Sequence, residues 1–244
     1  MNGMISKPMV IGHRGAAGEA PENTMASFAL ALAQGAQGIE LDVHVTRDGE
    51  MVVCHDETLD RTTTGAGLIC GHDWSYIQSL DAGSWYGNSY KGERVPLLRE
   101  VFDLCPPGFL INVEVKRSYE GRMERALLAL LRGCHRWGDI VVSSFDHKVV
   151  QRLKAAEPRI NAGLLYAANL IDHAGYAHQV GDMFSLHPHH ECIEKEDVAA
   201  ASAAGLAVYP YTVNEISEYA HMIQAGVTGI ITDYPGRLRA YLQT

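Results

Sequence analysis

From residue 109 to the C-terminus, short apolar runs alternate with helix-patterned stretches, and this rhythm constrains the fold more than any single motif. Residues 109–116 read Phe-Leu-Ile-Asn-Val-Glu-Val-Lys, a strand pattern, and 122–137 carry leucines at helical spacing. The pair recurs at 140–145 with 147–156, at 162–166 with a helical segment around 170–179, and at 183–187 with 195–204. Two more pairs, 206–213 with 216–225 and 229–233 with 237–242, complete the chain. Upstream, 9–12 is a short apolar strand. Asn23 and Thr24 offer N-caps for a helix through Phe28, Leu30 and Leu32 that stops near Gly35, and a new strand begins at Gly38. Strand–helix–strand units of this kind cross over right-handed. Eight βα units in 244 residues predict a (β/α)8 barrel, with a doubly wound open sheet as the alternative.

Residues 57–95 break the rhythm. Glycines, threonines and the aromatics Trp74, Tyr76, Trp85, Tyr86 and Tyr90 are mixed there, with one short helix near 75–80. The stretch reads as a small insertion within a single domain spanning 1–244, and Trp74, Trp85 and Tyr86 read as a satellite core.

The segment 38–56 concentrates polar groups. Ile39, Leu41, Val43 and Val45 share one face, so Glu40, Asp42 and His44 project from the other. Two carboxylates held that close repel, and a cation between them relieves the repulsion. Asp48-Gly49 then signals a two-residue hairpin, from which residues 51–54 return antiparallel. Pairing Arg47 with Glu50 would set His55 directly across from Asp42. Glu114 and Lys116 share a face in the same way, and His13-Arg14 follows the first strand. In a barrel all of these lie at the C-terminal mouth, where active sites form.

Carboxylates from two neighbouring strands suit a hard divalent cation, Mg²⁺ or Ca²⁺. Arg14 and Lys116 suit a phosphate, which Arg binds with paired donors. His13 and His55, from different loops, can serve as acid and base, since an imidazole as such is able to exchange a proton near neutral pH. The constellation describes metal-assisted phosphoryl transfer. Glu40, Asp42 and Glu114 could instead be a buried ion-pair network with Arg14 and Lys116. His187, His189 and His190 lack the supporting pair that a zinc site needs, and Pro188 interrupts them. Cys54 is set apart from His55 by the strand's alternation and is not read as a nucleophile.

Composition narrows the partners. With 29 acidic against 20 basic residues, the net charge of −9 disfavours a nucleic-acid backbone as ligand. The five cysteines show no Cys-x-x-Cys spacing and read as reduced thiols. Residues 1–8 lack an apolar leader core, and no window nears eighteen apolar residues. A cytoplasmic protein without stable membrane insertion is expected, with a homo-oligomer possible.

His13-Arg14-Gly15, Pro21-Glu22-Asn23-Thr24, Glu40-Leu41-Asp42-Val43, Thr46-Arg47-Asp48-Gly49, His55-Asp56 and Glu114-Val115-Lys116 together resemble the glycerophosphodiester phosphodiesterases. The likeness extends to 59–63, to Leu186-His187-Pro188 and to Thr212-Val213-Asn214, and so spans nearly the whole chain. It implies a TIM barrel with a small subdomain inserted after the His55 loop. It also implies hydrolysis of diesters such as glycerophosphocholine or glycerophosphoethanolamine to sn-glycerol 3-phosphate and an alcohol. In that pattern Glu40, Asp42 and Glu114 hold one divalent cation, His13 and His55 are the acid–base pair, and Arg14 and Lys116 meet the phosphate. Glu22 supports the loop, and the substrate's own 2-hydroxyl attacks phosphorus to give a cyclic phosphate. Tyr211 stands where many relatives have Trp, so headgroup or glycerol packing is expected to differ; His187 is expected to line the mouth. A phosphoinositide or lysophospholipid enzyme of like architecture would need an apolar rim or docking helix that the sequence does not show. A silent phosphodiester-binding barrel would have lost a histidine or a carboxylate.

Overall fold

The computed structural model describes residues 7–243. The apolar runs become eight parallel strands: β1 (Met9–His13), β2 (Gly38–Val45), β4 (Leu110–Val115), β5 (Ile140–Ser144), β6 (Asn161–Tyr166), β7 (Ser185–Pro188), β8 (Ala207–Val208) and β9 (Gly229–Thr232), while β3 (Met51–Val53) pairs antiparallel with β2. The parallel order is β8-β7-β6-β5-β4-β2-β1-β9. Between them run α1 (Met25–Ala33), α2 (Trp74–Ile77), α3 (Leu98–Leu104), α4 (Arg122–Cys134), α5 (His147–Ala156), α6 (His173–Val180), α7 (Lys195–Ala203), α8 (Ile216–Ala225) and α9 (Pro235–Tyr241). This is the expected (β/α)8 barrel. No helix among the described residues is long and apolar enough to cross a membrane. Residues 1–6, part of the stretch read as lacking a leader core, lie outside the description.

The eighth stave is shorter than the 206–213 run predicts. Pro210 has no N–H to give, so a regular ladder cannot continue through it. The seam with β9 closes by single bonds instead: Thr228 N donates to Val208 O at 3.0 Å, Ile231 N to Pro210 O at 3.0 Å, and Val213 N to Ile231 O at 2.9 Å.

Strand alternation sorts the side chains. Val10, Ile39, Leu41, Val43, Ile111, Val113, Val115, Val142 and Leu186 point outward into the main core with Phe28, Leu98, Leu127 and Leu153 of the helices. Ile11, Leu110, Val141, Tyr209 and Ile231 fill the barrel floor. Residues of the 57–95 stretch build a separate cluster of Leu59, Ile69, Ile77, Leu80, Ala82 and Val95 on Val52, Cys54 and Leu97. Trp74 packs against it, whereas Trp85 and Tyr86 stay exposed rather than joining the expected satellite core.

Above the floor lies a neutral polar layer. Asn112 Nδ2 faces His187 Nδ1 at 3.5 Å, His187 Nε2 meets Ser185 Oγ at 2.8 Å, and Ser143 Oγ donates to Asn112 Oδ1 at 2.9 Å. Burial pushes the His187 imidazole down to about 3, so the ring is uncharged. Fully buried, His187 does not line the mouth as expected; its place on β7 turns it into the barrel interior. Gly163 makes room for it, since a Cβ there would lie 2.5 Å from His187 Nε2 and 2.8 Å from Ser185 Oγ. Gly163→Ala is expected to cost about 1–3 kcal/mol of stability by overpacking, read as a lower melting temperature. An unchanged melt would mean the layer can shift aside.

Candidate active site

Glu40 and Asp42 rise from β2 and Glu114 from β4, where the register pairs Asp42 with Glu114. One ligand oxygen from each lies within 4.8 Å of the others, and among the described residues this is the one group of side chains gathered closely enough to hold a metal ion. All three are buried, and period-two alternation on adjacent strands sets them on a common face. Burial, reinforced by Asp42 and Glu114, drives the Glu40 carboxyl well above its usual range. Burial and the neighbouring Asp42 push Glu114 up to about 7. Burial would raise Asp42 too, but Lys116 and Arg14 hold it below the ordinary carboxylate range. Lys116 Nζ bridges Asp42 Oδ1 at 2.8 Å and Glu114 Oε1 at 2.6 Å, and Arg14 Nε lies 3.4 Å from Asp42 Oδ2. Three crowded carboxyl groups facing two cationic side chains, and an all-oxygen donor set, fit a hard divalent cation, whose charge would favour the ionised carboxylates.

The loop after β1 wraps over this cluster. Arg14 adopts φ 49° and Asn23 φ 58°, both in the left-handed region. That turn lets Arg14 N donate to Glu40 Oε2 at 3.1 Å and Arg14 Nη1 to Glu22 Oε1 at 2.8 Å. Asn23 Nδ2 donates to Asp42 Oδ2 at 2.8 Å, while Thr24, the second cap candidate, caps α1 through Ser27 N at 3.3 Å.

The hairpin differs from its expected form. Its loop holds three residues, Arg47, Asp48 and Gly49, with Gly49 at φ 94° and Thr46 N bonded to Glu50 O at 2.9 Å. The register therefore moves by one: Cys54 N, not His55, answers Asp42 O, at 2.9 Å. Cys54 is buried and its thiol pushed up to about 12 by that burial, which disfavours a thiolate. His55 stands just past the strand. His44 Nε2 donates to His55 O at 3.1 Å, and Tyr119 Oη contacts His44 Nδ1, so a buried neutral His44 fixes the backbone beneath His55. Burial lowers the His55 imidazole; Asp42 raises it, while Lys116 and Arg14 oppose the proton.

Both histidines carry a carboxylate on Nδ1: His13 with Asp233 Oδ1 at 2.7 Å, and His55 with Asp56 Oδ1 at 2.7 Å. Nδ1–H is thereby fixed, which leaves Nε2 for chemistry; His13 Nε2 lies 4.0 Å from Glu40 Oε2. Asn214 secures Asp233, donating from Nδ2 to Oδ2 at 2.7 Å and accepting from Asp233 N at 3.0 Å. The sequence reading gave no role to Asp233, Asp56, Asn214 or Arg61. Asp233 directly follows β9, as His13 closes the neighbouring β1, and Asp56 adjoins His55, so strand position and adjacency were the available signals. Tyr211 lies at the mouth, its Oη donating to Tyr166 O at 3.2 Å and its ring edge-on to Phe145 at 6.0 Å. His189 stacks on His190 at 4.7 Å, away from any zinc-like grouping.

An eight-stave barrel with an acid cluster and two carboxylate-braced histidines at its C-terminal mouth defines the class: a TIM-barrel protein equipped for phosphoester chemistry. The chain belongs to the glycerophosphoryl diester phosphodiesterase family, whose model matches residues 13–237. It is 40% identical over 236 residues to the glycerophosphodiester phosphodiesterase of Caldanaerobacter subterraneus subsp. tengcongensis, covering 95% of this chain and 96% of that one. A glycerophosphodiester phosphodiesterase of Bacillus subtilis is 32% identical over 245 residues, covering 93% and 84%. Among solved structures, an Oleispira antarctica phosphodiesterase in complex with the product sn-glycerol-3-phosphate superposes with a TM-score of 0.89 at 32% identity, covering 97% of each chain.

Proposed function

We propose that this protein is a divalent-cation-dependent phosphodiesterase that hydrolyses small glycerophosphodiesters, such as glycerophosphocholine or glycerophosphoethanolamine, to sn-glycerol 3-phosphate and an alcohol. The observation that carries this reading is the meeting of three buried carboxylates with His13 and His55, each braced through Nδ1, at one barrel mouth. Glu40, Asp42 and Glu114 would hold the cation. A cation held there would supply Lewis-acid polarisation of the phosphoryl group and offset charge that gathers in the transition state. Arg14 and Lys116 bring positive charge to the phosphate, and Glu22 orients Arg14. One histidine takes the proton of the substrate's 2-hydroxyl as that oxygen attacks phosphorus. The other protonates the departing alkoxide, leaving a cyclic phosphate, and the reverse exchange lets water open the ring. Tyr211 walls the pocket, and His187 supports the floor.

We also read residues 57–95 as a subdomain inserted into one domain, a reading supported by their separate apolar cluster. The five unpaired thiols favour a cytoplasmic setting. Release of glycerol 3-phosphate from several diesters, in a coupled assay with chelator and with Mg²⁺ or Ca²⁺ restored, tests the activity and separates the two ions. Absence of release from every diester, with either ion, ends the reading.

Cation affinity is expected to rise with pH. The ion must displace protons from Glu114, pushed up to about 7, and from Glu40, which burial also raises well above its usual range. Below that range protons compete, and above it they do not. Calorimetric titration should show tighter binding as pH increases through neutrality, with proton release. Affinity that stays flat there would mean the carboxyls are already ionised in the free protein.

A further inference from the structure

We propose that Arg61, carried by the stretch after His55, is a positioning residue for the reaction: by gripping Asp56 and Glu22 together it sets the His55 ring and the Arg14 side chain against one acid cluster. The proposal rests on the phosphodiesterase reading for its kinetic arm.

The grip is double. Arg61 Nε and Nη2 donate to Asp56 Oδ2 and Oδ1 at 2.7 and 3.0 Å. Nη1 and Nη2 donate to Glu22 Oε2 and Oε1 at 2.9 and 2.8 Å. Each carboxylate then hands on to the site. Asp56 Oδ1 also accepts from His55 Nδ1–H at 2.7 Å, and Glu22 Oε1 also accepts from Arg14 Nη1 at 2.8 Å. From Arg14 the line reaches Asp42, 3.4 Å away. Charges of alternating sign thus run unbroken from the imidazole to the acid cluster, with Arg61 at the centre. Its backbone is anchored by fully buried Leu59 and by buried Thr62.

Stability does not explain this arrangement. The Arg61 side chain is 43% exposed, and exposed ion pairs add little to folding. What a guanidinium adds is direction: a planar fork fixes the plane and separation of two carboxylates, which an ammonium cannot do. It also tempers Asp56. The charged groups facing His55 are Asp56, Asp42, Lys116 and Arg14, with His44 on its carbonyl. With Arg61 in place, Asp56 shares its charge between two donors, and without it the whole carboxylate acts on the ring.

The test uses the full-length protein with Arg61→Met, Arg61→Lys and Asp56→Asn. The His55 imidazole is followed by NMR titration, assigned by its loss in His55→Ala, so this readout does not depend on turnover. Arg61→Met should move the His55 titration to higher pH, and Asp56→Asn should move it to lower pH by about 1 pH unit. Opposite displacements are not what a general loosening of structure produces. In the coupled assay kcat should fall roughly 10–100-fold for Arg61→Met, the scale of a small misplacement of reacting groups, with Arg61→Lys between it and the parent. An unmoved His55 titration in both Asp56→Asn and Arg61→Met, or a kcat for Arg61→Met within about twofold of the parent, overturns the proposal. If the parent protein releases no glycerol 3-phosphate, the activity reading fails and the titration still decides the role of Arg61.

Discussion

Replacing His13 by alanine is expected to lower kcat by roughly 10²–10⁴-fold, the range typical of a lost general acid or base. The ring lies at the end of β1, partly exposed, so its removal opens space at the mouth without emptying the core. Its two sides are differentiated: Nδ1 is committed to Asp233, and Nε2 faces the acid cluster. Asp233→Asn should share part of the loss, because an amide can present N–H to Nδ1 and reverse the tautomer. His55→Ala should fall in the same range, since the proposed route uses a proton transfer at each histidine. Steady-state kinetics with saturating cation decide the matter. Near-normal kcat in either alanine variant removes that histidine from the chemistry.

Glu114→Gln is expected to weaken cation binding by more than about 100-fold, because groups that merely touch metal ligands are already worth 10–100-fold. Turnover should collapse with it and return partly at high cation concentration. The substitution keeps the shape of the side chain, and Lys116 retains Asp42 as a partner at 2.8 Å. That makes it a cleaner probe than Asp42→Asn. Asp42 is approached by both Lys116 and Arg14, so removing its charge disturbs two largely buried cations at once, leaving Lys116 to Glu114 and Arg14 to Glu22. Calorimetry on protein stripped of metal reads the affinity directly. Wild-type binding would place the ion elsewhere.

Much of this site could be read from periodicity alone. Glu40 with Asp42, and Glu114 with Lys116, were assigned to common faces because β2 and β4 alternate strictly, and adjacent parallel strands at the expected level bring the two pairs together. The hairpin was legible in kind but not in register. A Gly in the left-handed conformation as the third loop residue is as compatible with Arg-Asp-Gly-Glu as a two-residue turn, and one residue of slip changes what lies opposite Asp42. The eighth strand was over-read because apolar character continues through Pro210, although the ladder cannot. His187 was assigned to the mouth from its place at a strand end, yet strand ends differ in height around a tilted barrel, and this one is interior. The braces were least legible. Asp233 meets His13 across 220 residues of chain, and Arg61 joins two loops whose approach depends on the completed fold. Pattern within a segment does not encode such meetings.

The left-handed backbone at Arg14 and Asn23 bears on how this protein could evolve. Such conformations cost on the order of 1–3 kcal/mol each for residues with a Cβ, and glycine at either position would relieve the strain. Both places nevertheless carry side chains that reach Glu22 and Asp42. Selection for heat resistance alone would thus favour erasing two side chains that tie the loop to the acid cluster, and a lineage released from its substrate would be free to make that change.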